Sequence, residues 1–148
     1  MVSAVVERLK SKPGALLPIL HGVQDALGYV PAAAVPIIAE GLNLSRAEVH
    51  GVISFYHYFR ETSPGRHTIH MCRAEACQSM NQRGLEAHAK RRLGVDFHQT
   101  TTNGTFSLEP VYCLGNCACS PAIMIDDELY GRVTPERFDE IVSHWENR

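Results

Sequence analysis

The placement of the cysteines constrains this 148-residue chain more than any other feature. Four of the five fall in two tight pairs, C-R-A-E-A-C from Cys72 to Cys77 and C-L-G-N-C from Cys113 to Cys117. The fifth is Cys119. An odd count, tight clustering and no readable export signal argue against a disulfide framework and for metal ligands or redox groups. Both pairs follow strand-like segments, so two neighbouring loops can bring four thiolates together. A rhombic Fe₂S₂ unit needs two thiolates on each iron, and the gaps within each pair let a loop wrap around it. Gly115, inside the second pair, can turn backbone N–H groups toward the sulfurs. A structural Cys₄ zinc site tolerates the same gaps, so spacing alone leaves zinc open. Thiol–disulfide chemistry also stays open, although the C-x-x-C of dithiol oxidoreductases is missing. Cys119 could substitute for Cys117 as a ligand, but is expected to be an unligated, partly buried thiol beside the site.

The chain divides near Thr62-Ser63-Pro64-Gly65, a turn-forming stretch. The expected units are an N-terminal helical domain over 1–62 and an α/β domain over 66–148. In the first, Pro13 opens a helix carried by Leu16, Ile19, Leu20, Val23 and Leu27 and closed by Gly28. Pro31 opens the next, with Val35, Ile38 and Ala39 inward, Pro36 early enough to be tolerated and Gly41 at its end. Ser45 and Glu48 form an S-x-x-E capping box ahead of the stripe Val49, Val52, Ile53 and Tyr56.

The second half alternates strand-like and helix-like pieces. His67 to Met71 reads as a strand, Gln82 to Leu93 as a helix closed by Gly94, and Thr105 to Tyr112 as a strand. Pro110 puts the last at an edge or near its end. Ala122–Ile125 and Glu128–Val133 read as a hairpin across Asp126-Asp127. Thr134 caps a final helix with Pro135 in its first turn and Phe138, Ile141, Val142 and Trp145 inward. The order β-α-β-β-β-α predicts a small sheet with helices packed on it, an α/β sandwich.

Composition narrows the function. A formal charge of −2 gives no reason to expect nucleic acid or an anionic membrane as partner. No apolar run reaches the roughly 18 residues that span a bilayer. Met1 to Lys12 holds an early acid, Glu7, and neither an apolar core nor a cleavage site, so a cytoplasmic location is the expectation. There is no G-x-G-x-x-G after a strand and no Walker A loop, so the chain is not expected to bind NAD itself. Of the eight histidines none forms H-x-x-x-H or H-E-x-x-H. His70 reads as a strand side chain, and His50 and His57 as packing or docking residues. Arg73 reads as a solvated surface residue rather than a counter-charge to a cluster.

C-R-A-E-A-C from Cys72 and C-L-G-N-C-A-C-S-P-A from Cys113 resemble the thioredoxin-like [2Fe–2S] subunit of NADH dehydrogenases. That family includes the complex I 24-kDa subunit and relatives in NAD-linked hydrogenases and formate dehydrogenases. G-A-L-L-P-I-L-H-G-V-Q-D-A-L-G-Y-V-P and G-V-I-S-F-Y-H-Y-F are similar to its helical N-terminal region. The resemblance implies a helical bundle followed by a thioredoxin-like α/β domain carrying one [2Fe–2S] cluster. It carries the iron ligands over to Cys72, Cys77, Cys113 and Cys117, and none to Cys119. It also implies a partner subunit that carries FMN, binds NAD and holds a further iron–sulfur cluster; the helical half is the expected docking unit for that partner.

The run C-R-A-E-A-C-Q-S-M, Cys72 to Met80, is most similar to the gamma subunit of soluble NAD-dependent, molybdenum-containing formate dehydrogenases. A molybdenum-containing catalytic subunit is then a second expected partner. The complex I subunit and a hydrogenase diaphorase subunit follow as alternatives. On this reading the chain is a non-catalytic electron carrier within an oxidoreductase. A zinc-stapled adaptor and a dithiol enzyme are the competing functions, since fold does not determine function.

Overall fold

The computed structural model describes all 148 residues and divides them into two compact units, Met1–Ser63 and Pro64–Arg148.

The first unit is helical: α1 (Val2–Leu9), α2 (Leu16–Leu27), α3 (Ala34–Leu42) and α4 (Arg46–Phe55). Its core is built from Val5 and Val6 of α1, Ile19, Leu20 and Val23 of α2, Ile38 of α3, and Val49 and Ile53 of α4. Each such side chain contributes about 1.5–3 kcal/mol by leaving water. Two helices begin later than their prolines suggest. Gly14, at φ +63°, turns the chain after Pro13, and α2 starts at Leu16. Similarly, α3 starts at Ala34 rather than at Pro31. Pro18 and Pro36 each occupy the third helical position, where an amide has no intrahelical acceptor to lose.

Gly41 does not end α3. The helix runs to Leu42 and is capped by left-handed Asn43, while a β-carbon on Gly41 would collide with Val6 Cγ1. Gly41 lets α1 and α3 approach; it is a packing residue, not a stop. Gly28, by contrast, does cap α2, at φ +82°. The Ser45–Glu48 capping box is complete. The Glu48 amide donates to Ser45 Oγ (3.1 Å) and the Ser45 amide to Glu48 Oε2 (2.8 Å). Along α4 only Val49 and Ile53 of the expected stripe are buried; Tyr56 is exposed.

The second unit has a five-stranded sheet in the order β2-β3-β1-β4-β5, built from β1 (His67–Cys72), β2 (Gln99–Thr100), β3 (Phe106–Val111), β4 (Ile123–Ile125) and β5 (Glu128–Tyr130). β1 and β3 are parallel, joined through α5 (Glu75–Ser79) and α6 (Gln82–Leu93); the other pairings are antiparallel. In register, Ile69 lies beside Leu108 and Ile125, and Met71 beside Pro110 and Ile123. The apolar side chains of that face, with Phe106, pack under Leu85 and Ala89 of α6 and under Phe138, Ile141, Val142 and Trp145 of α7 (Pro135–Glu146).

Thr134 caps α7, accepting the Arg137 amide at 3.2 Å. β3 is interior, and Pro110 is tolerated near its end for a simple reason. The carbonyls of Phe106 and Leu108 point toward β2, so Pro110 shares their orientation, and β2 pairs only as far as Leu108. The missing N–H falls where no strand needs it.

Candidate metal centre

The parallel pair β1–β3 places both cysteine loops at one end of the sheet. Cys72 is the last residue of β1, and Cys113 comes two residues after β3 ends at Val111. The Arg73 amide donates to the Val111 carbonyl (2.7 Å) and the Cys72 amide to that of Ala122 (3.2 Å), tying the loops together. Cys77 sits in α5. Cys72 and Cys77 are each 2% exposed and share an apolar pocket with Ala122, Ala74, Val111 and Leu114. Cys113 and Cys117 are exposed.

In the outer pair the sulfurs stand 3.9 Å apart. Two thiolates on one tetrahedral metal, with bonds of about 2.3 Å, stand about 3.8 Å apart. Gly115, at φ +76°, donates its N–H to Cys113 Sγ at 3.3 Å, as the C-L-G-N-C motif suggests. Cys113 itself has φ +149°, a conformation L side chains rarely adopt and one that costs about 1–3 kcal/mol. Cys117 opens a 3₁₀ turn through Cys119.

Proton affinities show the thiols acting on one another. Burial pushes the Cys72 thiol up, the neighbouring Cys77 thiol adds to this, and the backbone N–H groups of Ala74 and Leu114 pull the other way. Cys113 raises Cys117, with a further contribution from Cys77. Cys77 therefore links the two pairs electrostatically. A cation bound between such thiols displaces their protons and removes the repulsion that raised them.

A lone zinc requires four donors about one centre. A binuclear unit needs two donors at each of two centres, and an inner and an outer pair suit that division. The residues fit an Fe₂S₂ group.

Several neighbours complete the site. Cys119 contributes through its backbone: its amide donates to the Asn116 carbonyl (3.0 Å), and its carbonyl accepts the Arg132 amide (2.6 Å). Arg73 is not a freely solvated residue. Its Nε donates to Glu86 Oε2 at 3.1 Å and its guanidinium lies 5.2 Å from the Phe97 ring centre, anchoring the Cys72 loop to α6. His70 lies within β1, in register with Glu109 and Met124, whereas His50 and His57 are exposed. Ser120, inside the C-L-G-N-C-A-C-S-P-A run but given no role from sequence, and Gly131, which no motif marks, both touch the cysteine loops.

Residues 2–146 match the family described as thioredoxin-like [2Fe–2S] ferredoxin. The chain belongs to that family. Its cofactor is a [2Fe–2S] cluster, and the group as a whole includes the complex I 24-kDa type of subunit. The chain is 31% identical over 140 residues to the HndA subunit of the NADP-reducing hydrogenase of Solidesulfovibrio fructosivorans, covering 95% of this chain and 82% of that one. It is 38% identical over 122 residues to a subunit of the NADH-quinone oxidoreductase of Pseudomonas aeruginosa, covering 82% and 74%. The crystal structure of an air-oxidized NAD⁺-reducing [NiFe]-hydrogenase shares the fold, with a TM-score of 0.72 at 23% identity over 95% of this chain. The ferredoxin-family chain spans about a quarter of that hydrogenase chain, 24%.

Proposed function

We propose that this protein is the [2Fe–2S] electron-transfer subunit of a soluble NAD-dependent formate dehydrogenase, with Cys72 and Cys77 on one iron and Cys113 and Cys117 on the other. The observation that carries the ligand set is the two-plus-two arrangement of thiols, one pair buried and one exposed, at the end of β1 and β3. When bound, the cluster stores one electron at a time. The chain's own part is to hold the thiolates, exclude water from the inner pair, and aim N–H groups of Ala74, Leu114 and Gly115 at the sulfurs. Such donors favour the added negative charge of the reduced form. The exposed outer pair leaves a short route for an electron to a docked partner.

The choice of formate dehydrogenase rests on the run from Cys72 to Met80. The named relatives, subunits of a hydrogenase and of an NADH-quinone oxidoreductase, support a parent complex that handles nicotinamide electrons. The expected partner is an FMN- and NAD-binding iron–sulfur subunit, docked by the helical unit, with a molybdenum-containing catalytic subunit beyond it. Visible absorption before and after dithionite, with iron, sulfide and zinc counted, tests the cluster. About two irons and two sulfides in a protein that bleaches support it, and a colourless protein with zinc defeats it. Purification of the tagged chain with its native partners tests the complex. Molybdenum, FMN and formate-dependent NAD reduction support the assignment. Nickel with hydrogen oxidation, or quinone reductase activity in membranes, moves it to the hydrogenase or complex I alternative.

A further inference from the structure

Ser120 stands between the two cysteine pairs. It is 6% exposed, and its Oγ lies 3.6 Å from Cys77 Sγ and 2.7 Å from the Cys117 carbonyl oxygen. With Cys77 protonated, the thiol donates to Ser120 and the hydroxyl donates to Cys117. A ligating sulfur has no proton to give. Cys77 then becomes an acceptor, and a hydroxyl already within reach of it carries one rotatable proton. At 2% exposure Cys77 is closed to bulk water, and Ala74, Val111, Leu114 and Ala122 around it offer no polar side chain.

We infer that Ser120 donates a hydrogen bond to the Cys77 sulfur in the cluster-bound protein, sharing its proton with the Cys117 carbonyl, and thereby raises the reduction potential. This rests on the ligand assignment proposed above. The proton stays on Ser120 throughout and no covalent bond changes. One electron arriving from the redox partner adds negative charge that spreads onto the cysteine sulfurs. A donor aimed at a sulfur stabilises that form more than the oxidised one. The effect is large where solvent is excluded, because the local dielectric is low. The same hydroxyl holds the Cys117 carbonyl, so one side chain couples the buried pair to the exposed one.

The test is an EPR-monitored redox titration of wild type, Ser120→Ala and Ser120→Thr as cluster-bound proteins. Ser120→Ala is expected to titrate at a more negative potential with iron and sulfide unchanged. Ser120→Thr, which keeps the hydroxyl, is expected to return toward wild type. An unchanged potential in fully loaded Ser120→Ala overturns the inference. Ser120→Gly removes the donor without adding a methyl group against the sulfur, and is expected to shift as Ser120→Ala does. Loss of the cluster from both would also overturn the inference, since Ser120 would then serve the loop's fold rather than the potential. A wild-type chain without iron and sulfide would instead defeat the ligand assignment.

Discussion

Gly131 lies against Cys119 so closely that a β-carbon on it would stand 2.7 Å from Cys119 Cβ and 2.8 Å from the Cys119 carbonyl oxygen. Asn116 Nδ2 would be 2.7 Å away. The segment after β5 is thus laid directly on the turn that presents Cys117. Gly131→Ala forces this turn outward and is expected to destabilise the protein by about 1–3 kcal/mol, the usual range for overpacking. Gly51→Ala makes the contrast: it sits on an exposed face of α4 with open space around it and should stabilise by about 0.5–1 kcal/mol. Guanidinium unfolding of both variants checks the opposite signs, and a shorter cluster lifetime is expected for Gly131→Ala alone.

The cysteine roles separate cleanly by substitution. Cys113→Ser should lose the cluster or hold it poorly, while Cys119→Ser, which leaves the backbone hydrogen bonds of Cys119 in place, should keep it. Iron and sulfide analysis of the two proteins decides. Cluster loss from the second would overturn the ligand set.

Close helix packing in the first unit gives a third expectation. Gly41→Ala drives a methyl group into Val6 and should cost about 1–3 kcal/mol. Val6→Ala in the same chain should recover part of that loss. A double-mutant cycle by thermal unfolding measures the coupling, and strict additivity would show that the two residues do not meet.

Glu86 gives the chain an acid-sensitive clamp. Burial alone would raise its pKa, but hydrogen bonds from Lys90 and Gln82 and the charges of Lys90 and Arg73 outweigh it and hold the carboxyl below the ordinary range. A depressed folded-state pKa means the stabilisation is fully present above the unfolded value of about 4.3 and is lost as pH falls through the folded value. Glu86→Gln is expected to cost about 1–3 kcal/mol near neutrality, in line with hydrogen bonds to a charged group. The gap to wild type should close below about pH 4. Denaturation of both proteins from neutral to acid pH tests this; a gap independent of pH would contradict it.

Local signals were the legible ones. Ser45 with Glu48, Thr134 with Pro135, and Gly28 act on their immediate neighbours, and each forms the cap its residues suggest. The C-L-G-N-C turn was legible for the same reason, since Gly115 and Cys113 meet two residues apart. Tertiary contacts were not. Gly41 carries the mark of a helix stop but answers to Val6, and Gly131 carries no mark although it lies directly against Cys119. α5 is too short, at five residues, for periodicity to reveal it. α1 was within reach, because Val2, Val5, Val6 and Leu9 recur at helical spacing.

The unequal burial of the two cysteine pairs also bears on how the centre fails. Cys72 and Cys77 are walled in by the sheet end and α5, whereas Cys113 and Cys117 lie open on a loop that already holds one residue in an unfavourable backbone conformation. On the proposed ligand set, oxidants and chelators therefore reach the outer sulfurs first, while the inner thiols stay sheltered.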